Sequence, residues 1–240
     1  SPATMTAGST LTLTTIGYDA YGKQLPTITC TWQTNIGTIT YESPGTTAFL
    51  YATTTGIWRA TATANGISTS TTITIEHAPL HHFEFDYIGT QTADINFSFT
   101  VYARDEWNNL VNDYGGNNHL WQSVDNVITQ IMWIGSSTIF PFHSGILGPL
   151  TTTDEFRKSC NDAFIFTYEI VDETKRGTSN TFVVLPGTPV SFIITLGTTS
   201  IPIGATTSVI IQLTDVYGNP VEIAGTTAGL FVTGTGTLDI

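Results

Sequence analysis

Basic charge is what this 240-residue chain most conspicuously lacks: seven Lys and Arg stand against nineteen Asp and Glu, for a formal charge of −12. The basic residues do not cluster, so nucleic acid and anionic membrane surfaces are excluded as natural partners, since both need a concentrated positive field. Cysteine is nearly absent as well. Cys30 and Cys160 are too few for a disulfide framework. No apolar run approaches the roughly 20 residues that span a bilayer, so no membrane insertion is expected within this sequence. The chain opens Ser-Pro-Ala-Thr with neither an initiator Met nor a signal peptide, and any export signal is expected to have been removed or to lie outside this piece. Scarce Lys, Arg and Glu also argue against long surface helices. Thr, Val, Ile and aromatics are plentiful instead, which suits half-buried strands.

A short punctuation recurs three times: "DAYGK" at residues 19–23, "DEWNN" at 105–109 and "DVYGN" at 215–219. Each comes after an alternating run. "AGSTLTLTTIGYD" and "IGATTSVIIQLTD" place Gly8 and Gly204 eleven residues before Asp19 and Asp215. In "ADINFSFTVYARD", Phe97, Phe99, Val101 and Ala103 recur at period two, so the unit reads as a strand entering a turn. The fourth turn position is Gly22, Asn108 or Gly218, residue types that enter the left-handed region readily. Asp19, Asp105 and Asp215 can each accept hydrogen bonds from amides two residues on. The aromatic third position, Tyr21, Trp107 or Tyr217, is expected to pack across the end of a sandwich, which makes the turn a sheet-to-sheet corner.

Further matches extend the unit. "LPGTPVSFIIT" pairs with "EHAPLHHFEF", laying Phe192 on Phe83 and Ile194 on Phe85 as a first strand after a Pro-containing linker. "WRATATANGISTSTTITI" puts Trp58, Ala60, Ala62 and Ala64 on one face and then turns at Asn65-Gly66, a two-residue hairpin signal. In "TITCTWQT", Ile28, Cys30 and Trp32 share a face opposite Thr27, Thr29 and Thr31, so Cys30 reads as a small buried residue, with a bridge to Cys160 as the other reading. Turn-to-turn spacings of 86 and 110 residues fit sandwich domains of about 100 residues.

The stretches "AGSTLTLTTIGYDAYGKQLPTITCTW", "TTGIWRATATANG" and "IQLTDVYGNPV" resemble the bacterial immunoglobulin-like repeats of invasin and intimin-type adhesins and of other cell-surface proteins, with filamin-type repeats as near relatives. The resemblance implies an all-β fold of tandem immunoglobulin-like β-sandwich domains, and its motifs speak to architecture rather than activity. It divides the chain into residues 1–76, an immunoglobulin-like domain lacking its first strand, residues 77–186, a domain with a long insertion, and residues 187–240, the first half of a third. The two end domains are thus expected to be incomplete, the chain to be an excerpt of a longer polypeptide, and the missing strands to come from flanking sequence or, as the alternative, from a neighbouring molecule.

Three groups of side chains are candidates for chemistry. The insertion carries Trp107, Asn108, Asn109, Tyr114, Asn117 and Trp121, flat apolar faces beside amides, as in a carbohydrate-binding platform. Against this, Trp107 also reads as a replacement for the corner Tyr and Trp121 as the core Trp of its domain. Glu76, Glu84, Asp86, Asp105 and Glu106 fall near the first junction and offer hard oxygen ligands for calcium, without a dense Asp-x-Asp pattern; the other reading is an acidic, solvated surface. His77, His81 and His82 sit in a linker where Pro79 splays them. None of the five histidines lies in a nucleophile or zinc motif, so no enzyme and no obligatory cofactor is expected. Asn96 heads a glycosylation sequon, Asn96-Phe97-Ser98, and is expected to face out of a strand.

The function expected from these features is a non-catalytic, structural or adhesive section of a repetitive extracellular or cell-surface protein, such as a stalk, surface layer or fibre. Its partners would be neighbouring immunoglobulin-like domains of the same polypeptide or copies of itself. The alternative is a carbohydrate- or receptor-binding module using the middle insertion; an accessory region of a large secreted enzyme is a third reading.

Overall fold

The computed structural model describes residues 3–26, 28–41, 45–124, 127–130, 139–152, 156–225 and 227–229. Every regular element among them is a β-strand. The first seven are β1 (Ala3–Thr6), β2 (Thr10–Thr14), β3 (Thr31–Thr34), β4 (Thr38–Tyr41), β5 (Thr47–Tyr51), β6 (Gly56–Ala64) and β7 (Ile67–Glu76). They form two sheets, ordered β1-β7-β6-β3 and β2-β5-β4. Period-two burial explains the pairing. Leu13 on β2, Ala48 and Leu50 on β5, Trp32 on β3, Ala60 and Ala62 on β6, and Ile73 and Ile75 on β7 meet in one core, and Cys30 joins them at 1% exposure. Asn65 and Gly66 take φ of 51° and 78°, closing the long β6–β7 hairpin. Cys30 and Cys160 are both free thiols.

A second set of strands comes next: β8 (His82–Phe85), β9 (Gln91–Thr92), β10 (Ser98–Arg104), β11 (Asn117–Val124), β12 (Val127–Gln130), β13 (Phe140–Pro141), β14 (Ile146–Thr151), β15 (Cys160–Glu169), β16 (Arg176–Thr178) and β17 (Phe182–Leu185). Here the sheets run β14-β10-β8 and β12-β11-β15-β17-β9, with β13 added to β11 and β16 to β15. A separate core unites Phe83, Phe99, Val101, Leu120, Phe140, Phe142, Ile165 and Val184. The plan repeats that of the first set. β17 pairs in parallel with β9 as β7 does with β1, and β10 pairs with β14 as β2 does with β5. The insertion contributes β12 and β13, both paired to β11; its residues 131–138 lie outside the described residues.

The last strands, β18 (Ser191–Leu196) and β19 (Val209–Thr214), form an antiparallel pair. Phe192 lies opposite Leu213, two residues before Asp215, as Phe83 lies opposite Ala103, two before Asp105. The first two sets are all-β immunoglobulin-like sandwiches, and the β18–β19 pair matches the β8–β10 pair of the second.

Two separate cores carry a testable consequence. Leu50 is fully buried in the first core and Ile165 in the second, so Leu50→Ala and Ile165→Ala should each cost about 2–5 kcal/mol locally. Hydrogen exchange measured strand by strand should show each substitution loosening its own set of strands, whereas equal loosening of both sets would mean one shared core.

Candidate functional site: the turn at each junction

The three Asp-headed turns share one geometry. In the first two the chain leaves one sheet and crosses toward the other, and in all three the Asp backbone is tied to the fifth residue: Asp19 N donates to Lys23 O at 2.9 Å, Asp105 N to Asn109 O at 3.0 Å and Asp215 N to Asn219 O at 3.1 Å. The Asp Oδ1 atoms accept N–H groups from positions three and five, over 2.8–3.0 Å, in all three copies. Gly22, Asn108 and Gly218 take φ of 81°, 68° and 80°.

What differs is the fifth side chain and what it reaches. Asn109 Nδ2 donates to Asp105 Oδ2 at 2.9 Å and to the carbonyl of Thr53 in the preceding unit at 2.7 Å, while its Oδ1 accepts Thr55 N at 3.1 Å. Asp105 Oδ2 also accepts Ala78 N, in the linker, at 2.9 Å. The second junction repeats this atom for atom. Asn219 Nδ2 donates to Asp215 Oδ2 at 2.7 Å and to Arg157 O at 2.6 Å, Asn219 Oδ1 accepts Ser159 N at 2.9 Å, and Asp215 Oδ2 accepts Gly187 N at 2.8 Å. Each clasp thus grips the linker and the same loop of the preceding unit, the one before β6 or before β15.

The aromatic third position completes the clasp, and the sandwich whose end Trp107 covers is the preceding one. Trp107 packs into the first core, against Gly8, where a Cβ would fall inside the indole. Tyr217 donates its hydroxyl to Asp94 Oδ1 at 2.6 Å. Gly8 and Asp94 are equivalent positions, eleven residues before Asp19 and Asp105, with φ of 76° and 68°. Both tie their turn to the gripped loop, Gly8 N to Ala52 O and Asp94 N to Phe156 O. The aromatic reaches backward because the corner faces the preceding unit, not the interior of its own.

Both clasp carboxylates are buried, Asp105 at 0% and Asp215 at 3% exposure. Burial by itself raises a carboxylate pKa. The side-chain amides of Asn109 and Asn219 and the backbone N–H groups of Ala78, Asn109 and Trp107, or of Gly187, Asn219 and Tyr217, outweigh it, and both groups are held below the ordinary aspartate value.

The other candidates are dispersed. Asn108 supplies backbone conformation and is exposed; Asn117 is exposed at the start of β11. Tyr114 packs on Phe83 and Phe142, and its hydroxyl donates to Asn118 Oδ1 at 2.8 Å, with burial and then Glu169 raising its pKa. Trp121 stacks on Phe166 at 6.3 Å and does not point into the core beside Leu120. These rings do not share one face with Trp107. Among the carboxylates, Glu84 pairs with Arg104 at 2.7 Å, Glu76, Asp86 and Glu106 are exposed, and the Asp105 oxygens are occupied by four nitrogen donors. Amide donors saturate Asp105 and do not fit it as a calcium ligand; among the described residues no three His, Cys, Asp or Glu converge. His77 Nε2 lies 3.1 Å from Asp113 Oδ1, apart from the adjacent His81 and His82, along an open cleft of about 1120 Å³ at the first junction. Asn96 is exposed just before β10, rather than within it, with Phe97 turned inward onto Phe156 and Phe182.

Sequence comparison finds no matching family profile and no matching curated protein. Solved structures of similar fold include domains 4–9 of the surface layer protein SbsC, at 15% identity and TM-score 0.33, covering 90% of this chain and 33% of that one. InvD of Yersinia pseudotuberculosis is similar at 16% identity and TM-score 0.40, over 92% of this chain and 69% of that one. The D00-D0 domain of intimin is similar at 15% identity and TM-score 0.41, over 75% and 94%. The chain therefore spans one third of the surface-layer structure, and the likeness is of fold alone.

Three substitutions test the turn. Gly218→Val should cost about 1–3 kcal/mol through positive φ, because open space surrounds the position, whereas Gly218→Asn should be mild, since Asn108 holds φ of 68° at the same place. Equal melting temperatures for the two variants would remove the left-handed requirement. Asn109→Ala strips a donor from a buried carboxylate and leaves Thr53 O and Thr55 N unpaired, for a loss of about 1–3 kcal/mol. The folded-state pKa of Asp105 and Asp215 lies below the unfolded value, so their stabilisation is full above about pH 4 and is lost as pH falls from there toward the depressed folded value. Acid titration followed by exchange at Ala78 and Gly187 should show the junction amides opening before the strand cores; simultaneous opening would contradict the assignment.

Proposed function

We propose that this chain is a load-bearing, non-catalytic section of an extracellular surface protein, in which immunoglobulin-like units are held in a fixed succession by the Asp/Asn clasp. The observation that carries this reading is that both junctions use the same donors and acceptors on equivalent loops, although the units differ in length by an insertion. A flexible tether would use a Gly/Ser-rich spacer and would need no buried charge. Here the linkers contain Pro79, directly after the Ala78 that Asp105 grips, and Pro189, two residues after the Gly187 that Asp215 grips. The acidic net charge suits an exposed, soluble surface. The division into units at residues 1–76, 77–186 and 187–240 is proposed on the same ground.

Protease shaving of intact source cells, followed by peptide identification, tests the location: release of peptides from this chain supports it, and their confinement to the lysate counts against it. Solution scattering of the chain and of the Asn109→Ala/Asn219→Ala variant tests the mechanics. The variant should show a larger and broader distribution of sizes. Unchanged scattering, together with glycan-array binding lost on Trp107→Ala or Trp121→Ala, would favour the carbohydrate-binding reading instead.

A further inference from the structure

Leu80 and Phe83 both pack into the core of the second unit. They stand three residues apart rather than two, so the alternation of an extended strand is broken between them, and the two intervening residues, His81 and His82, both fall outside that core. His81 is exposed, and His82 is half-buried at the start of β8. The backbone fixes them there: His81 N donates to Arg104 O at 2.8 Å, and His82 lies opposite Arg104 in the β8–β10 ladder. Pro79 parts His77 from this pair and leaves the pair together.

The two rings meet edge to face, with centroids 5.4 Å apart and planes at 84°, and their Nδ1 atoms are 3.2 Å apart. At that distance one Nδ1 carries a proton and donates it to the lone pair of the other. The same separation suits a metal ion: two imidazole nitrogens bound at about 2.0–2.1 Å stand about 2.9 Å apart at a right angle and about 3.4 Å apart at the tetrahedral angle. The observed spacing lies between the two. The Asn108 side chain is within hydrogen-bonding reach of the His82 ring, the kind of outer partner that orients a ligating imidazole. The Arg104 guanidinium beside them has its charge met by Glu84 Oε2 at 2.7 Å, so the strand does not turn a bare cation toward the pair.

We propose that His81 Nδ1 and His82 Nδ1 chelate one divalent transition-metal ion of the kind that prefers imidazole, Zn²⁺, Ni²⁺ or Cu²⁺, with water filling the remaining positions. The ion takes the place of the shared proton. That proton moves to Nε2 of the ring that carried it, so each imidazole stays neutral, each Nδ1 lone pair enters a metal bond, and no net proton is released. Hard cations such as Ca²⁺ and Mg²⁺ are not expected here, because they require oxygen donors. The net charge of −12 raises the local concentration of cations around the chain. The site is separate from the Asp/Asn clasp but lies on the same linker strand, three and four residues after the Ala78 that Asp105 grips, so a bound ion adds a second fastening to the start of β8.

The test titrates Zn²⁺ alone into the full chain carrying ¹⁵N-histidine, at a pH about one unit above the ordinary histidine pKa, and follows the ring nitrogens by long-range proton–nitrogen correlation spectra. The Nδ1 signals of His81 and His82 should both move to the metal-bound range and saturate at a single ion per chain, while their Nε2 atoms keep their protons. Ca²⁺ and Mg²⁺ should move neither. His81→Gln and His82→Gln should each abolish the saturable shift, and His77→Gln should leave it unchanged. An end-blocked peptide of residues 76–87 holds the same histidines without the fold and should bind about tenfold more weakly, since it must order both side chains on binding. No saturable shift, ligation through Nε2, or equal affinity in the free peptide overturns the proposal.

Discussion

An ionised carboxylate buried between two folded units is the constraint on which the rest of this structure depends. Taking such a group out of water costs several kcal/mol unless donors replace the lost hydration. Asp105 and Asp215 each collect four nitrogen donors, and in each case those donors come from the turn itself and from the linker. The charge is satisfied only when linker and turn are in register. The amide that completes the set also holds the preceding unit, so the same few atoms fix both the start of one sandwich and its seat on the one before. At Asp19 the Tyr21 and Lys23 N–H groups meet Oδ1 in the same way, which closes the loop of the first turn.

The fold was legible because it is written in periodicities. Alternation in "WRATATANG" and "FSFTVYAR", the Asn65-Gly66 hairpin and the recurring Asp turn are local signals, and each maps onto a strand or turn of the structure. Even the alignment of Phe192 with Phe83 comes from pattern, since both lie opposite the residue two before the turn Asp. The insertion was less legible: apolar runs such as the one around residues 127–134 carry no period that separates an added edge strand from a core strand, and only pairing places β12 at the margin of β11.

The site was half legible. Sequence spacing picked out Asp105, Asn108 and Trp107, and even Asn109, but left Trp107 between a corner aromatic and a ligand platform, with Asn109 in the platform because amides beside aromatics suit sugars. What pattern alone does not carry is direction: whether a turn's side chains face solvent, their own core or another unit. A signal was present all the same. The fifth turn position is Asn in both copies that grip a preceding loop, and positions 8, 94 and 204, eleven residues before each Asp, all adopt positive φ. Composition treats Asn109 and Asn219 as ordinary turn residues; only the hydrogen bonds that each makes to a preceding loop mark them as the docking groups.

The most direct measurement of the central claim is the distance distribution between spin labels placed on exposed strand positions of adjacent units, Thr12 on β2 and Thr151 on β14, with Cys30 and Cys160 replaced by Ser. If the buried Asp/Asn clasp fixes one unit on the next, the distribution is a single narrow peak that broadens when Asn109 is replaced by Ala. A broad distribution in the unaltered clasp, or a narrow one that survives the Asn109 replacement unchanged, contradicts it.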